Sequence, residues 1–464
     1  MNQRRLRRVH RVHFVGIGGV GMSGIAELLQ QSGYSVSGSD LRSGPTIERL
    51  RTLGIDVRIG HDPANVGTAD VVVYSSAVAA NNPELQAAEV AHVPVIPRAE
   101  MLAELMRMHS GVAIAGSHGK TTTTSLVGDV LQGGGLDPTT VVGGRVKALG
   151  SHSRLGGGDI LVAEADESDG SFLRLMPNVV VITNIDREHL DHYGDFETLK
   201  RAFLDFANRV PFYGASIVCL DDACVQSLLP EITRRTVTYG LSPQAEISAD
   251  AIEPNGLETT FRVRRGDELL GVVRLCVPGR HNVQNALAAI AVGLEFEVPF
   301  DSIRDALDEF VGVERRFEVH AESQGILVVD DYAHHPAEIR ATLEAARSGL
   351  GRRIVVAFQP HRYTRTRDLF DELSGAFHDA DSVFLTEIYP AGEPKLPGIE
   401  ARALAEAITA CGHRSVQFVP ESQTLVAAVR AEARSGDVVV FMGAGDIGRR
   451  VAEFTALLEE GSDD

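Results

Sequence analysis

Val112-Ala113-Ile114-Ala115-Gly116-Ser117-His118-Gly119-Lys120-Thr121 is the stretch whose reading decides the fold. An apolar, strand-like run enters a tight glycine turn, and Lys120 and Thr121 open a helix-compatible segment over 122–132. Strand, glycine turn, lysine, hydroxyl and helix is the order in which a chain cradles phosphate: backbone N–H groups surround it at a helix N-terminus. The usual phosphate loop reads G-x-x-x-x-G-K-[ST] and needs Gly at 114, where this chain has Ile114. What remains is a loop two residues short, G-x-x-G-K-T. Gly116, Ser117, His118, Gly119, Lys120, Thr121 and Thr122 are therefore the candidate triphosphate site. Lys120 would neutralise phosphate oxygens, and the Thr121 hydroxyl would face Mg²⁺. The competing reading is an ordinary glycine turn before a helix.

The chain of 464 residues is too long for one core, and two to four domains are expected. A formal charge of −19 argues against a nucleic-acid-coating role, though a few arginines and a glycine loop can still hold a small anion. Cys219, Cys224, Cys276 and Cys411 show no C-x-x-C or zinc-like spacing and read as reduced packing residues. The basic start at Arg4-Arg5-Leu6-Arg7-Arg8 is followed by glycines at 16–24 rather than by an apolar stretch, and no run approaches a membrane span. A cytoplasmic protein is expected.

Apolar runs at 12–15, 34–37, 57–59, 71–74 and 93–96 alternate with amphipathic stretches, the pattern of a βαβ sheet. Helices are predicted over 23–31 and 98–108. Strands follow at 160–164 and 179–183, a hairpin about Gly266-Asp267, and helices over 283–295 and 302–311. From about 320 the alternation returns, with strands at 325–329, 353–358, 382–386, 416–419 and 438–442. The expected architecture is α/β with three domains: a Rossmann-like domain over 1–107, a central P-loop ATPase-like domain over 108–319, and a second Rossmann-like domain over 320–464.

Gly16-Ile17-Gly18-Gly19-Val20-Gly21 fits G-x-G-x-x-G between a strand and a helix, and Asp40 ends the next strand. Taken alone it is a dinucleotide fingerprint. Its physical content is narrower: a close-approach turn, a helix N-terminus for a diphosphate, and an acid for a sugar hydroxyl. A UDP-sugar offers those groups as well as NAD does, so both stay open. Ser75, Ser76 and Ala77 could add donors or simply form a polar strand end.

Further segments fall in a distinctive order: Gly116 to Thr124, Ala163-Glu164-Ala165-Asp166-Glu167-Ser168-Asp169, and Thr183-Asn184-Ile185-Asp186 with His189. Gly279-Arg280-His281-Asn282-Val283-Gln284-Asn285-Ala286, Asp330-Asp331-Tyr332-Ala333-His334-His335-Pro336 and Phe358-Gln359-Pro360-His361-Arg362-Tyr363-Thr364-Arg365-Thr366 follow. Together with the first glycine loop, and over essentially the full length, these resemble the Mur ligase family. The resemblance implies ATP-driven amide formation: the lactyl carboxylate of UDP-N-acetylmuramate is phosphorylated, and the amine of L-alanine displaces phosphate from the acyl phosphate. A relative that attaches a tripeptide to the same sugar is the alternative within the family. An NAD-dependent dehydrogenase is the alternative outside it, and leaves Lys120 and Glu164 without a task.

By resemblance, Gly16, Gly18, Gly19, Val20, Gly21, Asp40, Ser75, Ser76 and Ala77 hold the UDP-sugar. Lys120, Thr121 and Glu164 serve the phosphates and Mg²⁺, and His189 serves a second Mg²⁺. Other members carry a carbamoylated lysine downstream of that histidine; residues 202–206 contain no lysine, so the modification is not expected. Asp166, Glu167 and Asp169 otherwise read as a solvated acidic turn. His281, Asn282 and Asn285 would meet adenine, with helix capping by Asn282 as the competing account. Asp331 is placed near the ribose and Arg316 near the phosphates; either could instead be a surface charge. Tyr332, His334, Arg362 and Arg365 are assigned to L-alanine, the guanidinium forks suiting its carboxylate. His334 could assist loss of the amine proton, or be a hydrogen-bonded loop histidine. Three substrates on three domains imply closure around the acyl phosphate.

Overall fold

The computed structural model describes residues 6, 8–75, 77–146 and 151–460. Each of the three domains of this α/β fold is built on one sheet. In the first, Asp56–Ile59, Ser35–Asp40, Arg11–Val15, Val71–Tyr74 and Val95–Pro97 lie side by side in that order, all parallel. Such strands, covered on both faces by crossover helices, need near-continuous aliphatic runs, and Val71-Val72-Val73 is one.

The second sheet has ten strands. Its middle is parallel: Ala215–Cys219, Val179–Ile182, Ser110–Ala115, Ile160–Glu164 and Thr139–Val146 are successive neighbours. Ser151–Arg154 adds antiparallel to Thr139–Val146. The sheet's other end is Thr236–Gly240, Ile247–Asn255, Glu258–Arg265 and Glu268–Leu275. The last two flank the predicted turn at Gly266-Asp267. In the third sheet Ile326–Asp331, Val438–Met442, Ile354–Phe358, Ser382–Leu385 and Val416–Phe418 run parallel, edged by antiparallel Glu318–Ser323.

By packing, the chain divides into two units. One comprises Met1–Asp250, Arg262–Val273 and Gln284–Phe310; the other comprises Ala251–Phe261, Arg274–Val283 and Val311–Asp464. Within the first unit the glycine-loop helix Val20–Gln31 packs on Thr139–Val146 and Ser151–Arg154. Its buried Glu27 accepts from Arg49 at 2.9 Å and from Ser153 at 3.4 Å. Phe172, fully enclosed, meets Phe203 edge-on at 5.4 Å and Phe206 at 4.7 Å in the core shared by the two sheets.

Several elements go beyond the periodicity. Helix Phe196–Ala207 and strands Thr139–Val146, Ser151–Arg154, Ala215–Cys219, Thr236–Gly240, Ile247–Asn255 and Glu318–Ser323 were not predicted. Ser151–Arg154 and Glu318–Ser323 are edge strands, and the other strands lie inside the central sheet, where their pairing depends on neighbours distant in sequence. The cysteines are all free, but only Cys219 is buried and Cys411 is exposed. No helix among the described residues is long and apolar enough to cross a membrane.

Candidate active site

Three adjacent parallel strands deliver the phosphate site at their carboxyl ends, where α/β sheets bind ligands. Ser110–Ala115 leads into the glycine turn, Ile160–Glu164 ends on Glu164, and Val179–Ile182 runs into Thr183-Asn184-Ile185-Asp186. The last segment pins the loop. The Thr183 hydroxyl and Asn184 Nδ2 donate to the His118 carbonyl at 2.6 and 3.1 Å, while the His118 N–H donates to Asn184 Oδ1 at 2.8 Å. The Asp186 N–H donates to Ser117 Oγ at 2.8 Å, and His118 Nε2 lies 3.2 Å from Asp186 Oδ2. A short loop held from the neighbouring strand replaces the longer, self-supporting turn that glycine at 114 would start.

Helix Lys120–Gly133 begins directly on this turn, with Thr121 and Thr122 buried in its first turn. Lys120 Nζ donates to the carbonyls of Gly116 at 2.6 Å and Ser117 at 3.2 Å, and to Glu167 Oε1 at 2.9 Å. The Thr121 hydroxyl donates to Glu164 Oε2 at 3.0 Å. Glu167 is only 1% exposed, which overturns its reading as part of a solvated turn. Its Oε2 has no hydrogen-bond partner among the described residues. Burial pushes the Glu167 carboxyl up against the pull of Lys120, while Glu167, Glu164 and Asp166 together outweigh burial and keep Lys120 charged. His189 Nε2 lies 3.9 Å from Glu167 Oε1, and Glu167, Glu188 and His189 present ligand atoms within 4.8 Å of one another. Asn285 closes the far side, its Oδ1 accepting from Thr123 Oγ1 at 3.1 Å.

The first glycine loop borders a cavity of about 700 Å³. Gly16, Gly18, Gly19, Asp40, Ser75 and Ala77 line it, together with His61 and Asn82, which sequence reasoning missed. The Gly18 N–H donates to Asp40 Oδ2 at 2.8 Å, and a Cβ at Gly18 would stand as close to that oxygen, so the acid and the loop meet only through glycine. Gly21 is not part of the lining; it faces the Arg98 guanidinium. Val20 starts the helix, and Ser76 lies outside the described residues.

In the second unit, Asp331 ends strand Ile326–Asp331 and is buried rather than a surface charge. Its oxygens accept from the N–H groups of Phe317 and Ala333, both at 2.7 Å. Arg316 donates to Glu338 at 3.2 Å and, with Arg315, lies over the Tyr332 ring. His334 Nδ1 sits 3.0 Å from the Tyr332 carbonyl and 3.3 Å from Glu338. Arg362 is exposed, with no side-chain hydrogen bond among the described residues; its positive φ of 69° follows the anchoring of its N–H on the Tyr389 carbonyl. Arg365 donates to His361 Nδ1 at 3.1 Å. His361 stacks on Tyr389 and meets His334 edge-on, so an aromatic row Tyr332, His334, His361, Tyr389 lines up beside the arginines. His361, Tyr389 and Glu338 were not singled out from sequence, because isolated polar residues carry no periodic signal. Asn282 does not cap its helix: Gly279 precedes the first turn, and Asn282 Nδ2 donates back to the Pro278 carbonyl at 2.7 Å.

Two histidines here are held neutral. Burial, helped by Arg316, lowers His281 to about 4; burial, helped by His334 and the arginines, lowers His361 to about 3. Burial raises Asp331 to about 6 against Arg316. Between about pH 6 and 4 the unfolded chain therefore binds two protons at these histidines that the folded chain does not. The folded chain binds one at Asp331 that the unfolded chain does not. The net proton at these three groups favours the unfolded chain, so their balance should lower the stability of this unit as pH falls through that window. Hydrogen exchange of strands Ile326–Asp331 and Ile354–Phe358 at pH 7, 5.5 and 4 measures it; protection that rises on acidification contradicts it.

Three family models match in succession: "Mur ligase family, catalytic domain" over 11–110, "Mur ligase middle domain" over 114–293, and "Mur ligase, glutamate ligase domain" over 315–445. The chain is 57% identical over 440 residues to the UDP-N-acetylmuramate–L-alanine ligase of Sorangium cellulosum, covering 94% of each. It is 56% identical to the ligase of the same name from Anaeromyxobacter sp. strain Fw109-5, covering 94% of this chain and 95% of that one. The crystal structure of UDP-N-acetylmuramate–alanine ligase from Thermotoga maritima superposes with a TM-score of 0.82 at 30% identity, covering 97% of this chain and 99% of that one. With the order of motifs, the three sheets and the matched models in agreement along its length, this chain belongs to the Mur ligase family.

Proposed function

We propose that this protein is a cytoplasmic, ATP-dependent ligase of peptidoglycan precursor synthesis that joins L-alanine to the lactyl carboxylate of UDP-N-acetylmuramate. The observation that carries the reading is the convergence of Lys120, Thr121, Glu164 and Glu167 at the ends of adjacent strands. Segments 1–107, 108–319 and 320–464 divide the work among UDP-sugar, ATP and amino acid.

A carboxylate is a poor electrophile because its oxygen leaves badly. Transfer of the γ-phosphoryl group makes an acyl phosphate and ADP; the amine then adds to the carbonyl and phosphate departs, so each ATP yields one amide bond. Lys120 swings from its carbonyl cradle onto phosphate oxygens, and the loop N–H groups fix the chain of phosphates. The residues fit a hard divalent cation: the Thr121 hydroxyl and Glu164 touch, and the buried Glu167 Oε2 lacks a hydrogen-bond partner among the described residues. Mg²⁺ there neutralises phosphate charge. Thr121 and Glu164 would hold one ion, and His189 with Glu167 and Glu188 a second. His281, Asn282, Asn285 and Asp331 serve the adenosine, and Arg316 the phosphates.

Arg362 and Arg365 receive the L-alanine carboxylate beside Tyr332. His334, whose Nδ1 lies 3.0 Å from the Tyr332 carbonyl, is the group placed to assist loss of the amine proton. Arg362→Ala should raise KM for L-alanine roughly tenfold or more, with smaller changes for ATP and UDP-N-acetylmuramate; steady-state kinetics in each substrate checks it, and a uniform KM places the carboxylate elsewhere.

The deciding measurement is phosphate release from ATP with UDP-N-acetylmuramate or L-alanine omitted in turn. Release should need both. Equal release without the amino acid refutes the ligase reading, and preference for a tripeptide over L-alanine moves the protein to the recycling branch of the family.

A further inference from the structure

The first domain buries a carboxylate that neither the core nor the glycine loop explains. Glu84, in the first turn of helix Pro83–Val90, has no exposed surface. Its Oε2 receives Ser39 Oγ at 2.6 Å and His13 Nε2 at 3.1 Å; its Oε1 receives Asn65 Nδ2 at 2.7 Å and the Asp62 N–H at 3.1 Å. Burial alone would push this carboxyl up, but the hydrogen bonds from His13, Ser39 and Asn65 outweigh it and hold it at about 2. An ionised carboxylate only accepts. Every neighbour must therefore donate to it.

That requirement sets proton positions further along. The Ser39 hydroxyl proton is spent on Glu84, so at its second contact, His61 Nδ1 at 3.0 Å, Ser39 Oγ can only accept. His61 Nδ1 thus carries the proton, and it also lies 3.5 Å from Glu84 Oε1. In the neutral ring the opposite nitrogen, Nε2, keeps a lone pair and has no hydrogen-bond partner among the described residues, and the ring lines the cavity bordered by the first glycine loop. Glu84 also ties together what shapes that wall. It holds the 60–65 loop through Asp62 and Asn65, and Asn82, which accepts the Glu84 N–H at 2.9 Å, lines the same cavity.

We propose that Glu84 is a positioning residue for the sugar nucleotide: through Ser39 it fixes His61 as the Nδ1–H tautomer, so that His61 Nε2 accepts a hydrogen bond from a donor group of the uridine. The proposal rests on the reading of this cavity as the UDP-sugar site. Either the uracil N–H or a ribose hydroxyl can be that donor. A cytosine ring lacks the first, and a 2′-deoxyribose lacks one of the second.

The test uses the full chain, with UDP, CDP and 2′-deoxy-UDP as probes in calorimetry and ¹⁵N-histidine NMR for the tautomer. Wild type should show His61 protonated at Nδ1. Glu84→Gln and Ser39→Ala should each shift that signature and weaken UDP roughly tenfold, the worth of one lost buried hydrogen bond. Neither should weaken UDP further when added to His61→Ala, and affinity for an ATP analogue should be unchanged. Loss of the UDP-over-CDP preference in His61→Ala assigns the donor to the base; loss of the preference over 2′-deoxy-UDP assigns it to the sugar. A wild-type His61 protonated at Nε2, or losses that add in full to that of His61→Ala, overturns the proposal. Should Glu84→Gln fail to fold, Ser39→Ala cuts the relay and leaves the carboxylate its other donors. A wild type that binds no UDP refutes the reading of the cavity, whereas the tautomer measurement stands apart from it.

Discussion

Lys120→Met should abolish ATP-dependent phosphate release, a loss on the order of a thousandfold or more, because charge neutralisation at the transferring phosphoryl group is the main work left to the protein. Lys120 is the cation bridging the Gly116 and Ser117 carbonyls and Glu167, and the charges that act on it most strongly are the acids Glu167, Glu164 and Asp166. The same substitution strips Glu167 of its partner inside the protein. Breaking a buried pair typically costs about 3–5 kcal/mol, although a carboxyl already pushed up by burial can take a proton and recover part of that. Lys120→Met should therefore be both inactive and less stable. The double variant Lys120→Met/Glu167→Gln should regain stability without regaining activity. Phosphate release and chemical denaturation on the three proteins separate the two effects; activity persisting in either variant would falsify the role given to Lys120.

Gly116→Ala should be among the most damaging single-methyl additions to the described residues. Gly116 has φ of 135°, a conformation that L residues rarely adopt. A Cβ there would run into the Thr183 hydroxyl and stand 3.0 and 3.1 Å from the backbone nitrogens of Thr183 and Asn184. Those groups cannot yield, since they pin the loop from the next strand. Strain and overpacking together cost about 3 kcal/mol or more, and relief by displacing 183–186 would disorder the loop that holds phosphate. The expected outcome is lowered thermal stability together with loss of nucleotide binding, read by melting with and without an ATP analogue. Wild-type binding and melting would show that the loop adapts.

The phosphate loop, the three sheets and the ordered motifs were legible because each rests on local rules. Aliphatic runs such as Val438–Met442 make parallel strands, and the turn at 116–119 needs glycine where the backbone turns over. The missed elements obey longer rules. Thr139–Val146 is a strand because Ile160–Glu164 lies beside it, Ser151–Arg154 because it pairs with Thr139–Val146, and helix Val20–Gln31 packs upon both.

Within the site the same division holds. Lys120, Thr121 and Glu164 could be picked from spacing, since the motif is itself a piece of geometry. Glu167 could not: from sequence it belongs to a solvated acidic turn, and only its place beside Lys120 makes it a buried partner whose Oε2 has no hydrogen-bond partner among the described residues. Glu84 and His61 carry no motif at all. Their tautomers and charges follow from contacts among residues 13, 39, 61, 65 and 84, which the parallel sheet brings together. By itself the sequence determined the chain's family, its order of strands and helices in outline, and the loop that receives phosphate. Tertiary structure alone decided which acids are ionised, which are buried, and what each histidine can offer a ligand, because desolvation and hydrogen bonding depend on neighbours that no local pattern records.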